Sequence, residues 1–370
     1  MSSTPAPGTA GTSISSNGPY APSGPGRSGL PEAEPGGPPT LPAPAGPVSG
    51  LAIGVDVGGT KVAAGVVDGR GRIVGSVRRP TPGHEPALVA DTIAEVVGEL
   101  RARHAVGLEA PIGIGAAGWL DRDGARVMFA PNLAWRDEPL RDIISDRLGR
   151  PVIVDNDANT MAWAEYRFGA GRGCAELVCV TVGTGIGSGL VLDGKVRHGA
   201  FGVGAEYGHM QVVPAGLPCG CGSQGCWEQY ASGRALVRNA REIIGGSPEA
   251  GRRLLELAGG DLDRLTGPDV TTAAREGDPA AVKCFEEVGY WLGQGMASLT
   301  AVLDPARFVI GGGVSDAGEL LLGPARAQFR AALPGRGHRP EAEIVLAHLG
   351  PDAGFVGAAD LARTVKLGRA

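Results

Sequence analysis

LAIGVDVGGTKVAAGVVD (51–68) and ELVCVTVGTGIGSGLVLD (176–193) are the two stretches from which the fold can be read. In each, an apolar run of strand length meets a glycine-rich turn. A second apolar run then leads to a hairpin signal, Asp68-Gly69 in one and Asp193-Gly194 in the other. A third strand follows each, RIVGSVRR (72–79) and KVRHG (195–199). Gly58 and Asp68 are ten residues apart, as are Gly183 and Asp193, so the units agree in scale as well as order. Further on, EPALVADTIAEVVGELRARHA (85–105) carries a helical apolar stripe of Val89, Ile93, Val96, Val97 and Leu100, and the strands IGIGAAG (112–118) and VIVDND (152–157) come after it. The second half answers with a helix opened by Asp278-Pro279 and running to Leu303, then the strands RFVIGGG (307–313) and EIVLAHLG (343–350). Two unrelated α/β segments could share this pattern. Internal duplication is the more economical reading, and it predicts two similar α/β lobes with a cleft between them.

The bulk properties are those of a soluble globular protein. Of 370 residues, 43% are hydrophobic and 20% charged, and the formal net charge of −5 argues against general nucleic-acid or membrane-surface binding. There is no apolar run of membrane-spanning length. Residues 1–50 are mostly Pro, Gly, Ser, Ala and Thr, and are read as a disordered tail with neither a secretion signal nor a transit peptide. The expected layout is a tail over 1–50, a small lobe of 51–159 plus 351–366, and a large lobe over 160–350. Without export, the cysteines sit in the reducing cytoplasm, where clustered thiols indicate metal more often than disulfide.

His209, Cys219, Cys221 and Cys226 are separated by ten, two and five residues in EYGHMQVVPAGLPCGCGSQGCWEQYASG (206–233). One imidazole and three thiolates suit tetrahedral Zn²⁺ and leave no position open for water, which makes such an ion structural. It would brace a loop carrying the carboxylates Glu206 and Glu228. Cys174, Cys179 and Cys284 lie outside the cluster and are read as packing residues. The two glycine turns, facing one cleft, would surround an anion with backbone N–H groups. No GxxxxGK[ST] loop occurs, and GTGIGSG leads into a strand instead of opening a helix, which disfavours a dinucleotide fold. In VIVDNDAN, Asp155, Asn156 and Asp157 emerge at the carboxyl end of a strand, where α/β proteins bind ligands. The same residues are also good caps for a helix beginning near Ala158.

DVGGTK, VDNDAN, GTGIGSG and the cysteine-rich block together resemble the ROK family of sugar kinases and repressors, and within it the ATP-dependent glucokinases of actinobacterial type. The resemblance runs from about Leu51 to Arg363. It implies a duplicated actin-like, ribonuclease-H-like ATPase fold and transfer of the γ-phosphate of ATP to the 6-hydroxyl of glucose. It further implies a general base at Asp157 and sugar contacts from Asn132, Asn156, Asp157, Glu206, His209 and Glu228. The nucleotide would be held by Asp56, Gly58, Gly59, Thr60 and Lys61, by Gly183, Thr184, Gly185 and Gly187, and by Gly311, Gly312 and Gly313. Mg²⁺ is expected with ATP near Asp56, and a homodimer or homotetramer as the assembly. Kinases for fructose, mannose, N-acetylglucosamine or N-acetylmannosamine share most of these motifs. The family's repressors carry an N-terminal DNA-binding module, whereas the Pro/Gly-rich tail here contains a single Arg.

Overall fold

The computed structural model describes residues 50–364; residues 1–49 of the expected tail and the last residues of the expected small lobe (365 and 366) lie outside them. Two five-stranded sheets organise the chain. The first contains β1 (Ala52–Val57), β2 (Lys61–Val67), β3 (Ile73–Pro80), β4 (Ile112–Ala116) and β8 (Ile153–Asn156), in the order β3-β2-β1-β4-β8. The second contains β9 (Leu177–Val182), β10 (Ile186–Leu192), β11 (Lys195–Val196), β12 (Arg307–Gly311) and β13 (Glu343–Leu346), in the order β11-β10-β9-β12-β13. In both, the first three strands form an antiparallel meander and the last two run parallel to the first. The duplication foreseen from the two turns is therefore a duplication of topology. The actin-like architecture follows, with two lobes and a cleft. The apolar runs become central strands because both faces are covered: β4 is buried throughout, whereas β3, at the sheet edge, is mostly exposed.

Two helices lie in the layer between the sheets, α3 (Asp157–Phe168) and α10 (Ala353–Thr364). Their residues share one core cluster with Ala52 and Ala63 of the first sheet and Leu177, Cys179 and Val309 of the second. The contact is backbone-close. A Cβ on Gly54 would lie 1.7 Å from the Phe355 carbonyl oxygen, and one on Gly357 would lie 1.8 Å from that of Thr160. Only hydrogen fits at either place. Polar bonds fix the rotation of the pair. Buried Asp360 accepts from Trp163 Nε1 and Arg167 Nε, both at 2.9 Å, and from Arg363 Nη1 at 2.9 Å. Glu165 of α3 accepts from the backbone N–H groups of His348 and Leu349, at 3.0 and 2.8 Å, and so ties down the segment after β13. The helix that opens the site is thus held from both sheets.

On the outer faces, α1 (Pro86–His104) and α2 (Leu140–Leu148) cover the first sheet. The second carries α4 (Glu228–Ala231), α5 (Gly233–Gly246), α6 (Arg252–Leu257), α7 (Gly267–Arg275), α8 (Pro279–Leu303) and α9 (Glu319–Ala332). As expected from Asp278-Pro279, the Asp278 side chain accepts from the Ala281 N–H at 2.9 Å and Pro279 opens α8. Several strands are shorter than their apolar letters suggested. Strand β11 is two residues long, β13 ends at Leu346, and β8 stops at Asn156 because Asp157 already turns into α3. A small sheet of β5 (Trp119–Leu120), β6 (Val127–Phe129) and β7 (Arg136–Glu138) is inserted between β4 and β8, where the sequence shows no strand pattern. No helix among the described residues is long and apolar enough to cross a membrane.

Candidate functional site

The carboxyl ends of the parallel strands and the two glycine turns open on a cleft of about 690 Å³. The β1–β2 turn contributes Gly58, Gly59 and Lys61, with Asp56 just before it; the β9–β10 turn contributes Gly183, Thr184 and Gly185. Gly187 also lines the cleft, from within β10 and not from the turn itself. Gly311, Gly312 and Gly313 line it at the end of β12. Thr60 departs from expectation: it is exposed and absent from the lining, and its carbonyl accepts from the Thr81 N–H at 3.1 Å. The turn presents its neighbours to the cavity and points Thr60 away.

Asn132, Asn156, Asp157, Glu206, His209 and Glu228 all line the same space. Asn156 caps α3 and also lines the cleft. Its Oδ1 accepts from the N–H groups of Ala158 and Asn159, at 2.9 and 3.1 Å, while Nδ2 donates to the Gly118 carbonyl at 3.0 Å. Asp155 is used differently from its neighbours. One of its oxygens accepts from the Asn156 N–H and Asn159 Nδ2, and the other meets His198 Nε2 at 2.8 Å, so it braces the segment from outside the cleft. Asp157 accepts from the Ala158 N–H at 2.9 Å, and no side chain among the described residues donates to it. Burial raises its carboxyl above the ordinary carboxylate range. Asp56 is pushed up to about 7 by burial and by the Asp157 charge, with Lys61 opposing. Glu206 also reaches about 7, through burial, Asp157 and Glu228, against a hydrogen bond from Trp119. Three carboxyl groups that repel one another thus converge on one space. Such a site accepts a proton near neutral pH and attracts a cation.

The foreseen metal ligands come together. His209 Nδ1 lies 3.6 Å from Cys219 Sγ, Cys221 Sγ lies 3.7 Å from Cys226 Sγ, and all four ligand atoms fall within 4.8 Å of one another. A tetrahedron with Zn–S bonds near 2.3 Å has edges of about 3.7 Å, so the donor set fits that ion in both chemistry and spacing. The His209 ring packs edge-on against Trp119, its centroid 5.7 Å away. Glu228 Oε1 accepts from Gln229 Nε2 at 3.1 Å and Arg234 Nη2 at 3.0 Å, and lies 3.2 Å from Cys219 Sγ. Of the cysteines read as packing residues, Cys179 and Cys284 are buried and Cys174 half-buried. Trp119, Phe129, Met161, Arg234 and Asp316 line the cleft without having been singled out from the sequence. Arg234 directly follows the quoted block and its type alone could have drawn notice; nothing local marks Trp119, whose place depends on the inserted sheet.

Residues 52–365 match the sequence profile of the ROK family. Across 314 residues the chain is 50% identical to a glucokinase of Streptomyces coelicolor, a match covering 85% of this chain and 98% of that one. A ROK family glucokinase from Streptomyces griseus, solved in complex with glucose and AMPPNP, superposes with a TM-score of 0.79 at 52% identity, over 85% of this chain and 100% of that one. A ROK hexokinase from Thermus thermophilus superposes with a TM-score of 0.70 at 36% identity, over 84% of this chain and 97% of that one.

Proposed function

The chain belongs to the ROK family, and from that premise we propose that it is a glucokinase, transferring the γ-phosphate of ATP to the 6-hydroxyl of D-glucose. The observation that carries this reading is Asp157. It is a carboxylate with a raised pKa and no side-chain donor, in a cleft with a glycine turn on either lobe and two further carboxylates suited to hydroxyls. Asn132, Asn156, Glu206, His209 and Glu228 hold the sugar. Asp157 takes the proton of the 6-hydroxyl as that oxygen bonds to the γ-phosphorus; the bond to the bridging oxygen breaks, and ADP leaves with that electron pair. A base so placed contributes roughly 10²–10⁴-fold. The glycine turns and Lys61 receive the phosphates through N–H groups and an ammonium. Asp56 would help hold Mg²⁺ brought in with the nucleotide, which would supply neutralisation of phosphate charge.

His209, Cys219, Cys221 and Cys226 would hold a structural Zn²⁺, since four protein ligands leave no place for reacting water. Clustered free thiols favour a reducing compartment, which supports a cytoplasmic location. The proposed assembly is a homodimer or homotetramer. The test is a panel of hexoses assayed with ATP and with polyphosphate. Glucose with ATP should give the highest kcat/KM; another hexose exceeding it by about tenfold, some 1.4 kcal/mol of discrimination, overturns the assignment.

A further inference from the structure

The cleft is rich in negative charge. Asp56, Asp157, Glu206, Glu228 and Asp316 line it, and Lys61 and Arg234 are the only Lys or Arg side chains among its described lining residues. A nucleoside triphosphate entering such a space needs opposing charge. Lys61 stands at one glycine turn. Arg234 stands at the other, in the first turn of α5, and the Gly233 N–H donates to the Gly183 carbonyl at 2.7 Å, which locks that helix to the β9–β10 turn. A Cβ on Gly185 would lie 3.7 Å from Arg234 Nη2, so the guanidinium borders the turn itself. Its one hydrogen bond among the described residues is from Nη2 to Glu228 Oε1, at 3.0 Å. The side chain is 52% exposed, with no other side-chain hydrogen bond among the described residues.

We infer that Arg234 grips the phosphoryl donor, its guanidinium binding phosphate oxygens lodged at the Gly183–Thr184–Gly185 turn. The inference rests on the kinase reading above. A planar fork with several donors matches the geometry of phosphate oxygens, which a point charge such as Lys61 does not. One guanidinium edge stays on Glu228, so the side chain is braced before the nucleotide arrives. No reorientation is then needed when charge spreads over the transferring group.

The experiment is steady-state kinetics of wild type, Arg234→Ala and Arg234→Lys, with ATP and glucose each varied at saturating co-substrate, together with calorimetric binding of a non-hydrolysable ATP analogue. Arg234→Ala should lower kcat/KM for ATP by about 10–100-fold, the loss of one or two charge-assisted hydrogen bonds. It should leave KM for glucose within about threefold, because Glu228 keeps its Gln229 bond. Arg234→Lys should recover part of the loss, and millimolar guanidinium ion should rescue Arg234→Ala. Should Arg234→Ala not fold, Arg234→Lys carries the test through its weaker binding of the analogue. The opposite split, with KM for glucose raised and the ATP parameters unchanged, reduces Arg234 to a support for Glu228 and overturns the inference. An active wild type with unchanged variants overturns it as well. A wild type that phosphorylates no hexose with ATP overturns the kinase reading on which it rests.

Discussion

Removing the metal from the cysteine cluster should weaken glucose binding strongly while leaving the sheets folded. The segment between Glu206 and Glu228 has little regular structure of its own: a 3-10 turn over Tyr207–His209 and the isolated bridges Gln211 with Cys226 and Pro218 with Gln224. Ordering such a segment opposes folding by about 1–2 kcal/mol per residue. A bound structural zinc supplies on the order of 10 kcal/mol in small peptides, a large share of what holds the segment, its backbone hydrogen bonds supplying the rest. Without the ion, burial and the neighbouring thiols push the Cys226 thiol up to about 12, so Cys226 is protonated and carries no charge with which to hold the loop. Glu206 and Glu228 are then no longer fixed relative to Asp157. Charge-assisted hydrogen bonds from the sugar to each are worth about 1.5–3 kcal/mol, and losing both weakens Kd by about 10²–10⁴-fold. Glu228 keeps its Arg234 bond, which favours the lower end of that range. The assay is titration calorimetry with glucose on purified, chelator-stripped and zinc-restored protein, with metal content measured by mass spectrometry. One zinc per chain and recovery on restoration are expected. Stripped protein that binds glucose within about threefold of the holoprotein refutes the reasoning, since threefold is only about 0.7 kcal/mol.

Two further predictions concern the charges in and behind the cleft. The Asp56 carboxyl is raised from 3.8 to about 7, so its share of stability is complete below pH 4 and lost as the pH rises through 7. Asp56→Asn should therefore stabilise metal-free protein by about 2–4 kcal/mol at pH 8 and by little at pH 4–5, while abolishing kinase activity; equal denaturation shifts at both pH values would contradict this. Asp360→Ala takes the carboxylate from two buried guanidiniums, those of Arg167 and Arg363, and should destabilise the protein by about 3–5 kcal/mol. A change below about 1 kcal/mol in urea denaturation would show that the pair contributes little to the α3–α10 contact.

The sequence disclosed the fold because its strongest local signals repeat. Buried strands, glycine turns and Asp-Gly hairpins depend on near neighbours, and two copies at matching spacing reduced the topologies to one. The metal cluster was legible for a similar reason, since three of its four ligands fall within eight residues. The inserted sheet was not, because strands of two and three residues such as β5 and β6 are too short to show a period. From the letters alone Asn156 is equally a cap or a ligand; the structure puts its Oδ1 on the helix N–H groups while the residue still lines the cleft. Thr60 and Asp155 show the converse. Each belongs to the right motif, yet turn geometry points one away from the cleft, and pairing with His198 withdraws the other from it. Arg234 becomes meaningful only when α5 is seen locked against the Gly183 turn, a contact between segments some fifty residues apart.

Asp157→Asn isolates the base most directly. The amide oxygen can keep the bond from the Ala158 N–H, and the charge that helps hold the carboxyls of Asp56 and Glu206 near 7 is removed. Rapid-quench measurement of glucose 6-phosphate formation, paired with calorimetry for glucose, should show turnover lower by at least about 10² with glucose still bound. Turnover within about tenfold of wild type would mean that the 6-hydroxyl proton leaves by another route.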